Sequence, residues 1–352
     1  MSTIKEFTDD LYQFHSRQEA SMCTTIEELC NSSKKFFIDK FNSIDQSEFS
    51  GMKFIKSKID LKLILIDVIR KINRIVKKES DNDLRAPEKF YNILFNKNGN
   101  PRFLGLIEKI NRFTDFYRIR PAEKYTIYDR KGMFMIPDSK ENLVGAYRFN
   151  PSGYSCLYLA SNLYLAWEEC RRPDFDTFNF SHYRNTRELQ VLNLTIRSKL
   201  LTVGHFIMAY LTLLCCAKTT DKDKHNFQYV VPQLMMKALC LSQRKSEKNH
   251  TKIIDGIKYI SSRRYDQKDF LFNDKNLSFA YVFPQRPHYN NIGICPELSK
   301  IFKLSKPRTH FLYRLYSLNF NTHTALVSDY QHSLFYQMEQ IINNDKLDLY
   351  DK

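Results

Sequence analysis

The sequence predicts an α+β protein, in which a helical N-terminal domain precedes a compact mixed α/β domain. Turn signals are few over residues 1 to about 110, and the segment 59–78 repeats apolar residues at helical spacing. After about residue 113, short runs rich in β-branched and aromatic residues alternate with helix-like segments. A length of 352 residues suits two domains. We therefore expect domains at 1–110 and 111–352, the second ending in a helical tail.

The strongest helix prediction is the amphipathic run of the N-terminal domain. Its apolar residues recur three or four positions apart and would form one buried stripe, namely Leu65, Ile69, Ile72 and Val76. The lysines and arginines between them would face water. Segment 96–101 then combines Asn-Gly with Asn-Pro, two dipeptides typical of turns. This break places the domain boundary near residues 100–112.

Strand and helix candidates alternate in the second domain. The strand candidates, most of them bounded by Pro, Gly, Asn or Asp, are 116–120, 156–160, 189–194, 229–231, 256–260 and 280–283. The helix candidates are 162–171, 199–217, 233–241 and 333–344. No internal repeat is present, and the pattern indicates a mixed α+β unit.

The segment 200–217 is nearly continuous in apolar residues and has to be judged as a membrane span. It contains Gly204, His205 and two threonines, and its length only touches the lower limit for crossing a bilayer. We expect a buried helix here and no association with a membrane. The first residues of the chain are polar and include Asp9 and Asp10, unlike a secretory signal.

Composition narrows the classes of partner and site. Lys and Arg outnumber Asp and Glu by 54 to 39, and the resulting charge of +15 suits nucleic acid, an anionic membrane or an anionic small ligand. The charge alone does not choose among them. The eight cysteines form no CxxC pair and no His stands at metal-ligand spacing, so we expect free thiols of a reducing cytoplasm and no metal. Phosphate-binding GxxxxGK[ST] and GxGxxG loops are missing as well.

The stretch 147–169 carries the most chemical information. A basic turn with Arg148 leads into a short apolar strand that contains Tyr158, and a helix follows. The predicted buried stripe of that helix is Leu163, Ala166, Trp167 and Cys170. Glu169 falls beside this stripe and Glu168 further toward solvent, so Glu169 is the better site candidate, although solvated helix charges are common. A carboxylate near an arginine and an aromatic strand can form a nucleotide-ribose site.

Short motifs follow one another along the second domain in a fixed order. They are Tyr117-Arg118-Ile119, Arg148-Phe149-Asn150-Pro151 with Gly153, Leu157-Tyr158-Leu159-Ala160-Ser161 followed by Ala166 and Glu169, and Gly256-Ile257-Lys258-Tyr259 before Ser261. Together they resemble the RES-domain family, which is named for an Arg, a Glu and a Ser. The resemblance covers roughly residues 115 to 285, and longer members of the family also carry a helical N-terminal domain.

The resemblance implies a compact fold related to ADP-ribosyltransferases. It implies an enzyme that cleaves NAD at its nicotinamide N-glycosidic bond, either a glycohydrolase with water as acceptor or a phosphorylase with phosphate. Several members are toxins that deplete cellular NAD and are held silent by a partner. We accordingly expect a toxin or defence effector with NAD as its substrate and a neutralising or triggering protein partner; a homo-oligomeric state stays open.

The resemblance also assigns site residues by position. Catalytic roles fall on Arg148, Glu169 and Ser261, and contacts to NAD fall on Tyr158, Arg118 and Arg120, with the choice between the two arginines left open. Three assigned residues have a residue of the same type close by that could take the same role. Arg120 is the alternative to Arg118, Ser262 to Ser261 and Glu168 to Glu169.

These residue types suit the reaction that the resemblance implies. Nicotinamide is a pyridinium in NAD and becomes neutral when its C–N bond breaks, so no second carboxyl group is needed to protonate the leaving group. A single carboxylate is therefore enough, and Glu169 could stabilise an oxocarbenium-like transition state. The guanidinium group of arginine can donate two parallel hydrogen bonds to a pyrophosphate, whereas the ammonium group of lysine acts only as a point charge. Tyr158 could form an aromatic wall, and Ser261 could hydrogen-bond an amide or a phosphate oxygen.

Two other classes of function remain open. A mono-ADP-ribosyltransferase acting on a protein or nucleic acid would use the same NAD pocket, and the basic surface would then face its substrate. A catalytically inert binding module would use the N-terminal helices to dock a partner. The products formed from NAD distinguish these classes.

Overall fold

The computed structural model describes residues 2–14, 23–50, 52, 57–136, 138–195, 200, 202–217, 227–248, 253–260, 280–284, 298–309 and 334–348. Its helices are α1 (Ile4–Phe14), α2 (Ile26–Ser43), α3 (Lys58–Ser80), α4 (Ala86–Leu94), α5 (Arg130–Met133), α6 (Leu163–Glu169), α7 (Val203–Cys215), α8 (Val230–Lys248), α9 (Leu298–Ile301) and α10 (Leu334–Asn343). Its strands are β1 (Ile107–Ile110), β2 (Asp115–Pro121), β3 (Cys156–Ala160), β4 (Phe178–Asn185), β5 (Leu189–Leu194), β6 (Gly256–Tyr259), β7 (Ala280–Pro284), β8 (Phe302–Leu304) and β9 (Arg308–Thr309). The predicted α+β class is confirmed.

Most predicted elements are present at the predicted places. The amphipathic run is α3, and all four residues of its stripe are buried. The helices expected after the third strand candidate and in the tail are α7 and α10. Periodic segments of this length carry the strongest local signal.

Two strand predictions failed for identifiable reasons. The run 229–231 was expected as a strand, but it ends a 3-10 turn and begins α8. Pro232 lies in the first helical turn, where its missing N–H costs no hydrogen bond, so it marks the start of a helix here. Strand β4 was not predicted, because both of its faces are buried and its sequence lacks the alternation of a half-exposed strand.

The chain divides into two compact units, each built from segments that are distant in the sequence. The first unit comprises Met1–Glu108, Gly145–Gly153 and Gln190–Tyr265, and the second comprises Lys109–Val144, Tyr154–Leu189 and Asp266–Lys352. The first unit therefore contains α7 and α8 together with the four N-terminal helices. The division of the chain at residue 110 stays a prediction.

Helix α7 forms the centre of the first unit. Its residues from Phe206 to Cys215 are all buried. Phe206 packs against the rings of Phe7, Phe41 and Phe49. Neighbours on all sides explain why the segment is apolar all round, as a buried helix requires. No described helix is both long and apolar enough to cross a membrane.

The start of α7 packs tightly against the chain that leads into β1. Thr202 Oγ1 donates a hydrogen bond to the Leu104 carbonyl oxygen at 2.6 Å and accepts one from the His205 amide at 3.4 Å. A Cβ atom on Gly204 would lie 2.1 Å from that Leu104 oxygen and 3.1 Å from the Leu106 nitrogen. Only glycine fits at this position, because backbone atoms occupy the space of a side chain.

The second unit is built on an antiparallel sheet in the order β7-β3-β2-β4-β8, with β9 also paired to β4. One side carries an aromatic cluster in which Phe116 contacts the rings of Tyr281, Phe283 and Phe302. A second cluster joins α6 to α10, where Phe335 lies 5.2 Å from the ring of Trp167. These clusters anchor the strands and α6, which carry Arg118, Tyr158 and Glu169.

The sheet of the second unit opens between β2 and β3. Strand β2 pairs with β4 from Asp115 to Pro121, and β3 pairs with β7 along its whole length. Between β2 and β3 the structure records one paired position, Tyr117 with Ala160. The two strands are therefore joined at one end, and beyond it their facing edges do not form a ladder. We call this feature the β2–β3 opening.

Candidate active site

Arg118 lies on β2, one residue past the rung that joins β2 to β3. The residue is partly exposed, but its Nη1 atom is buried and has no hydrogen-bond partner among the residues that the structure describes. Burial lowers the pKa of Arg118, and the neighbouring Tyr183, Cys170 and Tyr158 act against that shift. An arginine stays charged in proteins, so a buried N–H without an acceptor favours an anionic ligand.

Arg120 follows on the same face of β2 but is engaged differently. Its Nη1 donates a hydrogen bond to the carbonyl oxygen of Gly132 in α5. Its guanidinium group lies 4.6 Å from the centre of the Tyr128 ring. These contacts hold the segment 128–132 against the sheet, and the contact of Arg120 with NAD stays a prediction.

Tyr158 lies on β3, across the β2–β3 opening from β2. Its side chain is half-buried, and it pairs through the backbone with Val282 on β7. The register places its side chain on the face of Tyr117, and its phenol acts against the lowering of the Arg118 pKa by burial. An arginine on β2 and an aromatic residue on β3 thus stand on the two strands that border this opening, and these residue types suit a flat anionic ligand.

Helix α6 follows β3 after two residues and carries the two glutamates. The Asn162 side chain caps its start by accepting a hydrogen bond from the Leu165 amide at 2.8 Å. At its end, Cys170 Sγ donates to the Ile119 carbonyl oxygen on β2 at 3.3 Å. The Ile119 carbonyl oxygen points away from β4, toward the edge of β2 that would pair with β3 in an unbroken sheet. The end of α6 therefore lies beside the β2–β3 opening, with Glu169 immediately before Cys170 and half-buried.

The expectation that Glu168 lies toward solvent is wrong. Glu168 is buried, and its carboxylate accepts a hydrogen bond from Tyr164 Oη at 2.5 Å and pairs with Arg172 Nε at 2.9 Å. Because α6 is short and covered by both β2 and α10, more than one face of it is buried. Helical periodicity assumes a helix with a single buried face, so it predicted that Glu168 faces solvent although the side chain is buried.

Arg148 belongs to the first unit and contacts the end of α7. Its Nη1 donates hydrogen bonds to the carbonyl oxygens of Cys215 and Ala217, and its guanidinium group lies 5.6 Å from the Tyr229 ring. A cation at a helix C-terminus is stabilising, because carbonyl oxygens are unpaired there. The catalytic role of Arg148 stays a prediction, and Ser261 lies outside the described residues.

Strand β4 supplies neighbours of Arg118 that the sequence did not indicate. Tyr183 lies on the face of Arg118, and its hydroxyl donates to the Met133 carbonyl oxygen at 2.6 Å. On the opposite face, Asp115 pairs with His182 Nε2 at 2.7 Å and with Arg184 Nε at 2.6 Å. Burial raises the pKa of Asp115, but these two partners outweigh it and hold the pKa below its usual value. The signal that could have revealed β4 is its density of aromatic residues.

Comparison with known proteins bears directly on these residues. A family model described as "RES domain" matches residues 115–290, which is half of the chain. The chain belongs to the RES-domain family. The matched range contains every site residue that the sequence resemblance assigned, and the RES domain includes both β2 and β3.

A relative of this RES-domain chain is known from Bacillus subtilis (strain 168), where it is named "Putative toxin YopC". It is 26% identical over 221 residues, which is 57% of this chain and 47% of the relative. The match therefore spans about half the length of that protein. No solved structure matches the chain.

Proposed function

We propose that this RES-domain protein cleaves NAD at the nicotinamide N-glycosidic bond, as a glycohydrolase or a phosphorylase. The observation that carries the proposal is the buried Nη1 of Arg118, which has no acceptor among the described residues and belongs to a strand that borders the opening across from Tyr158 on β3. NAD offers both a pyrophosphate anion and flat rings. A relative whose name contains the word toxin supports a role as a toxin or defence effector.

The chemistry divides among three residues of the second unit. Arg118 would bind the pyrophosphate, because its fork of N–H groups matches phosphate oxygens. Tyr158 would lie against the nicotinamide or its ribose. Glu169 would accept a hydrogen bond from a ribose hydroxyl and stabilise positive charge at the anomeric carbon. Water or phosphate then bonds to that carbon while the C–N bond to nicotinamide breaks, and nicotinamide leaves as a neutral molecule.

The test is to incubate the full chain with NAD, with and without inorganic phosphate, and to separate the products. Release of nicotinamide with ADP-ribose indicates hydrolysis, and release with phosphorylated ADP-ribose indicates phosphorolysis. A labelled protein or nucleic acid would indicate ADP-ribosyl transfer in place of the proposed reaction. NAD that stays intact would overturn the proposal and leave binding alone.

The same substitution at two arginines tests which of them contacts NAD. For Arg118→Lys we expect KM for NAD to rise about tenfold or more, since a lost charge-assisted hydrogen bond costs roughly 1.5–3 kcal/mol. For Arg120→Lys we expect a lower melting temperature with KM near that of the wild type, because Arg120 binds Gly132 and Tyr128. The opposite pattern would assign the ligand contact to Arg120.

A further inference from the structure

The backbone directly after Glu169 is unusual. Arg171 and Arg172 follow one another with φ angles of +68° and +54°, in the left-handed region that residues with a Cβ atom seldom adopt. The next residue is Pro173, which further restricts the residue before it. Such conformations persist only where surrounding contacts impose them, and they are found most often near functional sites.

Hydrogen bonds from the last turn of α6 impose this conformation. The amides of Arg171 and Arg172 donate to the carbonyl oxygens of Glu168 and Trp167, each at 3.0 Å. Trp167 Nε1 donates to the Pro173 carbonyl oxygen at 2.8 Å. We call residues 170–173, held in this way, the left-handed turn.

The Glu168 side chain links the left-handed turn to the buried side of α6 through its contacts with Arg172 and Tyr164. Its side chain is 5% exposed, whereas that of Arg172 is 43% exposed. One carboxylate oxygen accepts from Tyr164 and the other pairs with Arg172. A buried carboxylate that loses its charged partner is strongly unfavourable, so the pair constrains the turn more than a surface ion pair would.

The left-handed turn is also connected to the candidate site. Cys170, its first residue, is hydrogen-bonded to Ile119, the residue next to Arg118 on β2. Glu169 therefore lies between two anchored residues, with Glu168 on one side and Cys170 on the other. A displacement of its backbone would strain the hydrogen bonds of these two neighbours.

We propose that Glu168 is a positioning residue, whose pairing with Tyr164 and Arg172 holds the left-handed turn and thereby fixes Glu169 beside β2. The inference rests on the proposed function, because it acts through the carboxylate assigned to catalysis. Small displacements of a catalytic group lower rates strongly, so the effect should fall on kcat.

Adjacent glycine substitutions provide a matched test. Arg171→Gly and Arg172→Gly both place glycine at a positive φ angle, but only Arg172 pairs with Glu168. We expect Arg172→Gly to lower kcat about tenfold to a hundredfold with KM for NAD within roughly twofold of wild type, and Arg171→Gly to retain wild-type kcat. Equal kcat values for the two variants would overturn the proposal.

The double variant separates positioning from folding. If Glu168 acts through Glu169, then Glu168→Gln lowers kcat in the wild-type chain but has no further effect in Glu169→Gln. Losses that multiply would mean that Glu168 acts independently of Glu169, against the proposal. Arg172 is exposed, so the glycine pair remains informative if Glu168→Gln does not fold.

Hydrogen exchange keeps this inference distinct from the proposed function. We expect Glu168→Gln and Arg172→Gly to lose protection at the amides of residues 170–172, and Arg171→Gly to lose less. Should the wild type leave NAD intact, the proposed function fails and these amides alone decide whether Glu168 holds the turn. Unchanged protection there would overturn the positioning role whatever the activity.

Discussion

Glu169→Gln is expected to abolish most NAD turnover while the fold stays intact. The amide retains the shape of the side chain but not the negative charge that would stabilise the oxocarbenium-like transition state. Loss of such an electrostatic contribution costs roughly 3–4 kcal/mol, or on the order of a hundredfold to a thousandfold in kcat. The rate of nicotinamide release at saturating NAD measures this directly.

A matched carboxylate is available as the control. Glu188 lies in the same unit and pairs with the exposed Lys109 at 3.4 Å, a surface ion pair of little energetic weight. Glu188→Gln should therefore keep wild-type turnover. If Glu169→Gln also cleaves NAD at the full rate, Glu169 has no part in the mechanism.

Gly204→Ala is expected to give the largest loss of stability. Its Cβ would lie 2.1 Å from the Leu104 carbonyl oxygen, so either the start of α7 or the chain before β1 has to move. Overpacking of this kind costs about 3 kcal/mol, and helix α7 is the centre of its unit. The free energy of unfolding from urea titrations should fall by that amount, with an unchanged slope.

Gly145→Ala is the corresponding control. The nearest atom to its Cβ would be a ring carbon of Tyr147 at 4.0 Å, and no backbone atom interferes. Replacing an unconstrained glycine by alanine should be neutral or stabilise the protein by less than about 1 kcal/mol. Equal stabilities of the two alanine variants would contradict the close packing described for Gly204.

The elements predicted best are those whose own residues carry the whole signal. Helix α3 presents one buried stripe to its neighbours, so periodicity alone locates it. Strand β4 is different, because its polar residues are buried with distant partners. Asn179, for instance, accepts a hydrogen bond from the Tyr128 amide and donates one to the Thr126 carbonyl oxygen. No local pattern contains that information.

The candidate site shows the same limit. Arg118 and Arg120 lie two residues apart on one face of a strand and are equivalent in the sequence. Only the folded chain brings the Gly132 carbonyl oxygen to Arg120 and leaves a buried N–H of Arg118 without an acceptor among the described residues. In the same way, the partners Tyr164 and Arg172 give Glu168 a position that its neighbours in the sequence did not suggest.

The single rung between β2 and β3 has a consequence for how this site can vary. With only Tyr117 and Ala160 paired across it, the width of the gap is set by the outer strands β4 and β7, to which its two walls are attached. Substitutions on those outer strands can widen or narrow the gap while every residue that lines it stays the same. The size of ligand that the gap admits can therefore differ between chains whose lining residues are identical.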